Sequence, residues 1–286
     1  MEAQPVILVT GANGQLGKEL KQLEHSYPAY KFIFLSREDL PIHHFELVRN
    51  FFKGYHPQYL INCAAYTAVD KAESEKELAF QVNGEAVGVL AAVCKEYGTH
   101  FLHISTDYVF DGNGTAPYRP DAPTNPQSVY GASKLMGEQQ AVAFNAESII
   151  IRTSWVYSAF GKNFVKTMMK LMAEREDISV VNDQVGSPTY AADLAGVIMH
   201  IIDSGKWAPG IYHYSNEGVI NWYEFALAIK EISQSACRVH PIPSSQYPTP
   251  AKRPSYSVMD TSGLSQIWPV APRPWKESLA SCMARL

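Results

Sequence analysis

Short runs at residues 6–10, 32–35, 59–64, 101–105, 148–152 and 178–181 constrain the fold most. They are rich in β-branched residues and apolar nearly throughout. They have strand length without the alternation of a strand that keeps one face wet, so they read as strands buried on both faces. Helix-like stretches fall between or after them, at 15–23, 44–52, 74–97, 128–144 and 164–173. This succession predicts an α/β fold, a doubly wound parallel sheet of the Rossmann type. Beyond 152–157 helices and short strands mix with loops, and proline-rich stretches at 241–254 and 269–274 suggest a smaller mixed α/β lobe. The expected division is a dinucleotide-binding domain over 1–155 plus roughly 187–206, where 193–202 reads as a returning helix. A substrate-binding lobe would take 156–186 and 207–286.

Composition removes several classes of function. A formal net charge of -4 gives no support for a nucleic-acid or membrane surface. Cys63, Cys94, Cys237 and Cys282 are scattered, without the paired spacing of a zinc site or disulfide framework, and no metal cluster is expected. Reduced cysteines, no leader-like start and no run of eighteen apolar residues together predict a cytoplasmic protein.

In a parallel sheet, ligands bind beyond the C-terminal strand ends. The first run stops at Thr10-Gly11-Ala12-Asn13-Gly14-Gln15-Leu16-Gly17, with a glycine at every third position between strand and helix. Glycines permit a tight turn and let a pyrophosphate approach backbone N–H groups at a helix N-terminus. The second run stops at Ser36-Arg37, a hydroxyl and a cation suited to a 2′-phosphate, which favours NADPH with NADH as the alternative. The third ends in Cys63-Ala64-Ala65, small enough for a flat cofactor, or equally for a packed helix. The fourth ends in Ser105-Thr106-Asp107-Tyr108, where a hydroxyl can donate to a substrate carbonyl.

Ser128 would cap the next helix, which carries Tyr130 and Lys134, four residues apart and therefore on one face. An ammonium about 4 Å from a phenolate stabilises it by up to ~4 kcal/mol at an effective dielectric near 20. That suffices to lower the phenol from its ordinary ~10 toward neutrality, giving a tuned acid. The spacing alone also fits a solvated helix face.

TGANGQLG, the hydroxyl after the fourth run and YxxxK together resemble an extended short-chain dehydrogenase/reductase. With NCAAYTAVDKAE, HISTDYVFDG, VYGASKLMGE, IRTSWVY, NDQVGSPTYAADLA and RPSYSVMD, nearly the whole chain is similar to the dTDP-4-dehydrorhamnose reductase family. The resemblance implies reduction of a 4-keto group on dTDP-4-dehydro-6-deoxy-L-mannose, the last step to dTDP-L-rhamnose. It makes Tyr130 the proton donor, and has Lys134 hold the nicotinamide ribose and lower the tyrosine pKa. Thr106 would bond the keto oxygen. Gly11, Asn13, Gly14, Gln15 and Leu16 would line the pyrophosphate, and Ser36 and Arg37 the adenosine end. Cys63, Ala64 and Ala65 would border the cofactor. Ser105 and Tyr108 would lie near the reaction centre, Trp155 would pack on the sugar, and Asn163 and Arg253 would reach the diphosphate.

Two departures stand out. Some relatives pair through carboxylates that bind magnesium. This chain keeps Glu19 but has Ala192 where a second acid would align, which speaks against an intersubunit magnesium and leaves monomer or homodimer open. Pro41 stands where many relatives carry an acid. Competing readings are a sugar-nucleotide epimerase or dehydratase that retains its cofactor, and a non-catalytic dinucleotide-binding regulatory subunit.

Overall fold

The computed structural model describes residues 4–286. In chain order its first half comprises β1 (Val6–Thr10), α1 (Gln15–Leu23), β2 (Lys31–Leu35), α2 (Phe45–Tyr55), β3 (Tyr59–Asn62), α3 (Val69–Ala72), α4 (Lys76–Phe80), α5 (Ala86–Tyr97), β4 (His100–Thr106) and α6 (Val129–Phe144). Next come β5 (Ile149–Thr153), β6 (Val156–Tyr157), α7 (Phe164–Glu174), β7 (Asp177–Val181), β8 (Val185–Gly186), β9 (Thr189–Tyr190) and α8 (Ala191–Asp203). The chain ends with β10 (Gly210–His213), β11 (Ile220–Asn221), α9 (Trp222–Ser233), β12 (Arg238–Ile242), α10 (Ser262–Ile267) and α11 (Trp275–Met283).

The large sheet has the order β10-β5-β4-β3-β1-β2, and every pair is parallel. Ile7 and Val9 enter the core on one face with Leu20 of α1 and Leu194 of α8, while Leu8 enters the other with Phe52 of α2 and Leu90 of α5. That two-sided burial is why the run is apolar at successive positions. Each such side chain contributes about 1.5–3 kcal/mol.

Two expectations need correction. The run at 178–181 is a strand, but β7 pairs with β12 in a separate two-stranded parallel sheet. The edge place beside β5 goes instead to β10. Its segment, and Leu264 and Trp268 near α10, join the first core, although a boundary at 207 would put them in the lobe. The lobe has its own core around Tyr157, Val165, Phe225 and Leu279.

The helix expected at 74–97 contains a π-helical turn at Gln81–Glu85. There Asn83 bonds the backbone of Tyr66 and the Ser133 hydroxyl of α6. A π-turn often marks a functional region, and this one seats α6 at a fixed height. The stretch Lys76–Tyr97 has the length and apolarity of a membrane span, yet 56% of its apolar 18-residue window is buried, and α5 packs against α6. It is built as a core helix.

Candidate active site

A cleft of about 840 Å³ opens at the C-terminal strand ends, beside the reversal of strand order between β1 and β3. Gly11 has φ +70, and a Cβ there would stand 2.6 Å from the Ala64 nitrogen, so only glycine lets the turn lie against the end of β3. Gly14 precedes α1 with no side-chain cap. The helix therefore starts with uncapped N–H groups, the arrangement that takes a phosphate. Asn13, Gln15 and Leu16 line the same end, and Cys63, Ala64 and Ala65 line the wall at β3. These features fit a dinucleotide. At the rim the Ser36 hydroxyl accepts from the Asp39 N–H, and Arg37 is exposed beside Glu38, an acid the sequence reading passed over.

Ser128 caps α6 as expected, accepting from the Gly131 N–H at 3.1 Å. A Cβ on Gly131 would come within 2.2 Å of the Tyr108 carbonyl, so this glycine lets the helix press against the loop after β4. Tyr130 and Lys134 both line the cleft with Ser105, Thr106, Asp107, Tyr108 and Trp155. The Tyr108 and Tyr130 rings meet edge to face at 5.5 Å.

The electrostatics differ from the expectation in one respect. Burial pushes the Tyr130 phenol up to about 12, with the Thr106 hydroxyl pulling it down and Asp107 pushing it up. Lys134 is turned away, its Nζ donating to the Ile104 carbonyl at 2.6 Å and lying 3.3 Å from His103 Nε2. The pair shares one wall, but in this arrangement the lysine does not lower the phenol. Burial brings Lys134 itself down to about 8. Thr106 donates to Asp107 Oδ1 at 2.9 Å. Burial raises that carboxyl to about 6, and its other oxygen has no partner.

Several residues behind the cleft were missed. Asn62 and His103 sit in register on β3 and β4 and link Thr10 to Lys134. Glu138, one turn after Lys134, is bound bidentately by Arg152 of β5 and accepts from the Ser105 hydroxyl. For Asn62 and His103 the available signal was a polar residue inside a largely apolar run; Glu138, next to two glutamines on α6, gave none.

Trp155 has a left-handed backbone, φ 48, and its ring stacks on Trp222 at 3.7 Å. Strain of this kind costs about 1–3 kcal/mol and gathers at ligand clamps. Asn163 is not among the residues lining the cleft. It caps α7 and donates to Gln15 and to the Ser158 carbonyl, so it braces the cradle from behind. Arg253 lines a separate cavity of about 160 Å³ that shares Tyr108 with the cleft. It is paired with Asp70 at 2.8 Å, and its Nη1 is buried without a partner. Glu19 is 1% exposed, bound by the Ser158 hydroxyl and by Arg285 at 2.8 Å. A guanidinium already neutralises this carboxylate, so the residues around it do not fit magnesium.

A parallel Rossmann sheet whose cleft carries TGxxGxxG and YxxxK defines an extended short-chain dehydrogenase/reductase. The profile of the RmlD substrate binding domain matches residues 5–286. The chain belongs to the RmlD family, that of dTDP-4-dehydrorhamnose reductases, which are oxidoreductases. It is 42% identical over 274 residues to the spore coat polysaccharide biosynthesis protein SpsK of Bacillus subtilis, covering 96% of this chain and 95% of that protein. It is 38% identical over 288 residues to the dTDP-4-dehydrorhamnose reductase of Aggregatibacter actinomycetemcomitans, covering 97% and 98%. The crystal structure of the Bacillus anthracis dTDP-4-dehydrorhamnose reductase in complex with NADP superposes with a TM-score of 0.95 at 37% identity, over 99% of this chain and all of that one.

Proposed function

We propose that this protein uses NADPH to reduce the 4-keto group of dTDP-4-dehydro-6-deoxy-L-mannose, yielding dTDP-L-rhamnose. The observation that carries the reading is the meeting, in one cleft, of Tyr130, Thr106 and Lys134 with the glycine cradle at Gly11–Gly17. Full-length similarity to reductases of this activity supports it.

The residues divide the work. Gly11, Asn13, Gly14, Gln15 and Leu16 would hold the pyrophosphate, Ser36 and Arg37 the adenosine end, and Cys63, Ala64 and Ala65 the wall behind the cofactor. The nicotinamide supplies the hydride when bound. Tyr130 gives its phenolic proton to the oxygen that gains charge, help worth roughly 10²–10⁴ in rate. Thr106 must release Asp107 to donate to that oxygen, and Lys134 must turn from Ile104 to meet the ribose. Trp155 backs the sugar. Arg253, with Lys252 and Gln127 in the adjoining cavity, suits the diphosphate and base. In this reading 1–155 with roughly 187–206 binds the cofactor, and 156–186 with most of 207–286 binds the substrate.

The test follows NADPH absorbance with the keto sugar, using wild type and Tyr130→Phe. Activity in the first and a loss of at least about a hundredfold in the second are expected. A folded wild-type protein that binds NADPH but consumes none overturns the reading. Tightly retained NAD with no net turnover would point to an epimerase or dehydratase instead. Running NADH beside NADPH tests Ser36 and Arg37.

A further inference from the structure

Thr10, Asn62 and His103 occupy one row across β1, β3 and β4. Thr10 is 1% exposed, and Asn62 and His103 are fully buried. Buried polar groups must satisfy one another, so the row can be solved as a hydrogen-bond account. Asn62 Oδ1 accepts from the Ala64 N–H at 3.2 Å and from the Thr10 hydroxyl at 2.6 Å. The backbone N–H can only donate, which fixes the orientation of the Asn62 amide. Its Nδ2 therefore donates to His103 Nδ1, 2.9 Å away.

The consequence passes along the ring. Nδ1 is an acceptor and carries no proton. Burial holds the imidazole pKa well below its usual value, so the ring is neutral. Its single proton is then on Nε2, which faces Lys134 Nζ at 3.3 Å. An ammonium has three donors and no acceptor. Two donors would meet head-on at that contact. A neutral amine resolves it: one N–H goes to the Ile104 carbonyl, the lone pair accepts from His103, and the second N–H remains free.

We infer that His103 is a positioning residue that sets the protonation state of Lys134, holding it as a neutral amine until a dinucleotide's negative charge draws in a proton. The charged groups around the lysine are few. Glu138 on its own helix and Cys63 at the end of β3 favour the charged form, and burial opposes it. The Glu138 carboxylate is already engaged by Arg152. His103 touches the amine, and Tyr130 lines the same cleft. Anionic phosphates entering the cradle shift the balance toward the ammonium. Charged, and turned from Ile104 with Nζ still beside His103 Nε2, Lys134 requires His103 to move its proton to Nδ1 and Asn62 to turn its amide, releasing the Ala64 N–H. The charge on Lys134 is thereby coupled to the backbone against which Gly11 packs.

The inference rests on the cleft being a dinucleotide site and is independent of the sugar. NADPH is titrated calorimetrically into the full chain at about pH 8.5, in two buffers of different ionisation enthalpy, which counts protons bound per cofactor. Wild type takes up more than about half a proton, since a group with a pKa of about 8 is mostly but not wholly neutral at that pH. His103→Gln, whose amide oxygen can accept from an ammonium, takes up less than about a third as much. No uptake by wild type, or equal uptake by both proteins, overturns the inference. Because residue 103 is buried, a second measurement uses wild type alone. Long-range ¹⁵N–¹H spectra of histidine-labelled protein, with the ring identified by its contact to Lys134, give Nε2–H without NADPH and Nδ1–H with it. An Nδ1–H ring before NADPH is added refutes the account. Protein that shows the uptake but leaves the keto sugar unreduced keeps this inference and loses the proposed activity. Reduction without uptake does the reverse.

Discussion

Glu138→Gln is the most informative single change for stability. Glu138 and Arg152 are 2% and 3% exposed, and the guanidinium bonds both carboxylate oxygens at 2.9 and 2.7 Å. Removing the acid's charge leaves a buried cation whose other bonds are to the Pro120 carbonyl and to His213. Breaking one partner of such a pair costs about 3–5 kcal/mol. For a chain of this size each kcal/mol moves Tm by about 2–4 °C, so a fall of about 6–20 °C is expected. The double change Glu138→Leu with Arg152→Met removes both charges. What remains is the Ser105 hydroxyl without its acceptor and the Pro120 carbonyl and His213 without the guanidinium, neutral groups whose loss of a partner costs less than a buried unpaired charge. The double variant should therefore recover more than half of the loss. Thermal melts and urea unfolding of the double variant, of Glu138→Leu alone and of Arg152→Met alone complete the cycle, with Glu138→Gln measured beside them. A single-variant loss below about 1 kcal/mol, or a double variant no better than either single, refutes the desolvation argument.

Other outcomes follow from particular contacts. Gly11→Ala combines a left-handed φ with a Cβ 2.6 Å from backbone, and should weaken NADPH binding by at least about tenfold, read by fluorescence titration. Asp107 has a folded pKa of about 6 against 3.8, so between those values the folded state holds the extra proton and stability falls as pH rises. Tm of Asp107→Asn relative to wild type should therefore climb between pH 3.8 and about 6 and then level off; a flat difference would remove Asp107 from the account. With Arg285 on Glu19, EDTA should leave the wild-type Tm within about 1 °C, while Arg285→Ala lowers it by stranding a buried carboxylate.

Much of the large sheet was legible because burial on both faces leaves a continuous apolar run. β10 was not: it is an edge strand of four residues, three of them only partly buried, and Gly210-Ile211-Tyr212-His213 resembles a loop. β7 was read as a strand, in the succession of runs and within the stretch 156–186 given to the lobe, but its partner was not. Its neighbour is set by pairing with β12, some sixty residues on, which no local pattern encodes. The cleft was legible at the strand ends, where glycine, hydroxyl and small residues accumulate. The supports behind it were not, since Asn62, His103 and Glu138 act through partners on other strands and helices. Lys134 illustrates the limit: its spacing from Tyr130 fixes a shared face, whereas the direction of Nζ depends on Ile104 and His103.

The closure of Arg285 on Glu19 spans 266 residues, and Trp268 fills the same core as Ile7. Synthesis from the N-terminus therefore delivers the first five strands long before the edge strand, the plug and the final clasp. Loop closures of this length are slow. The half-made sheet exposes the flank of β5 until Gly210–His213 is made, and the first core stays open until Trp268 follows. An unpaired strand edge and an open core are the features that make a folding intermediate prone to aggregate, so the order of synthesis exposes a hazard that the finished fold conceals.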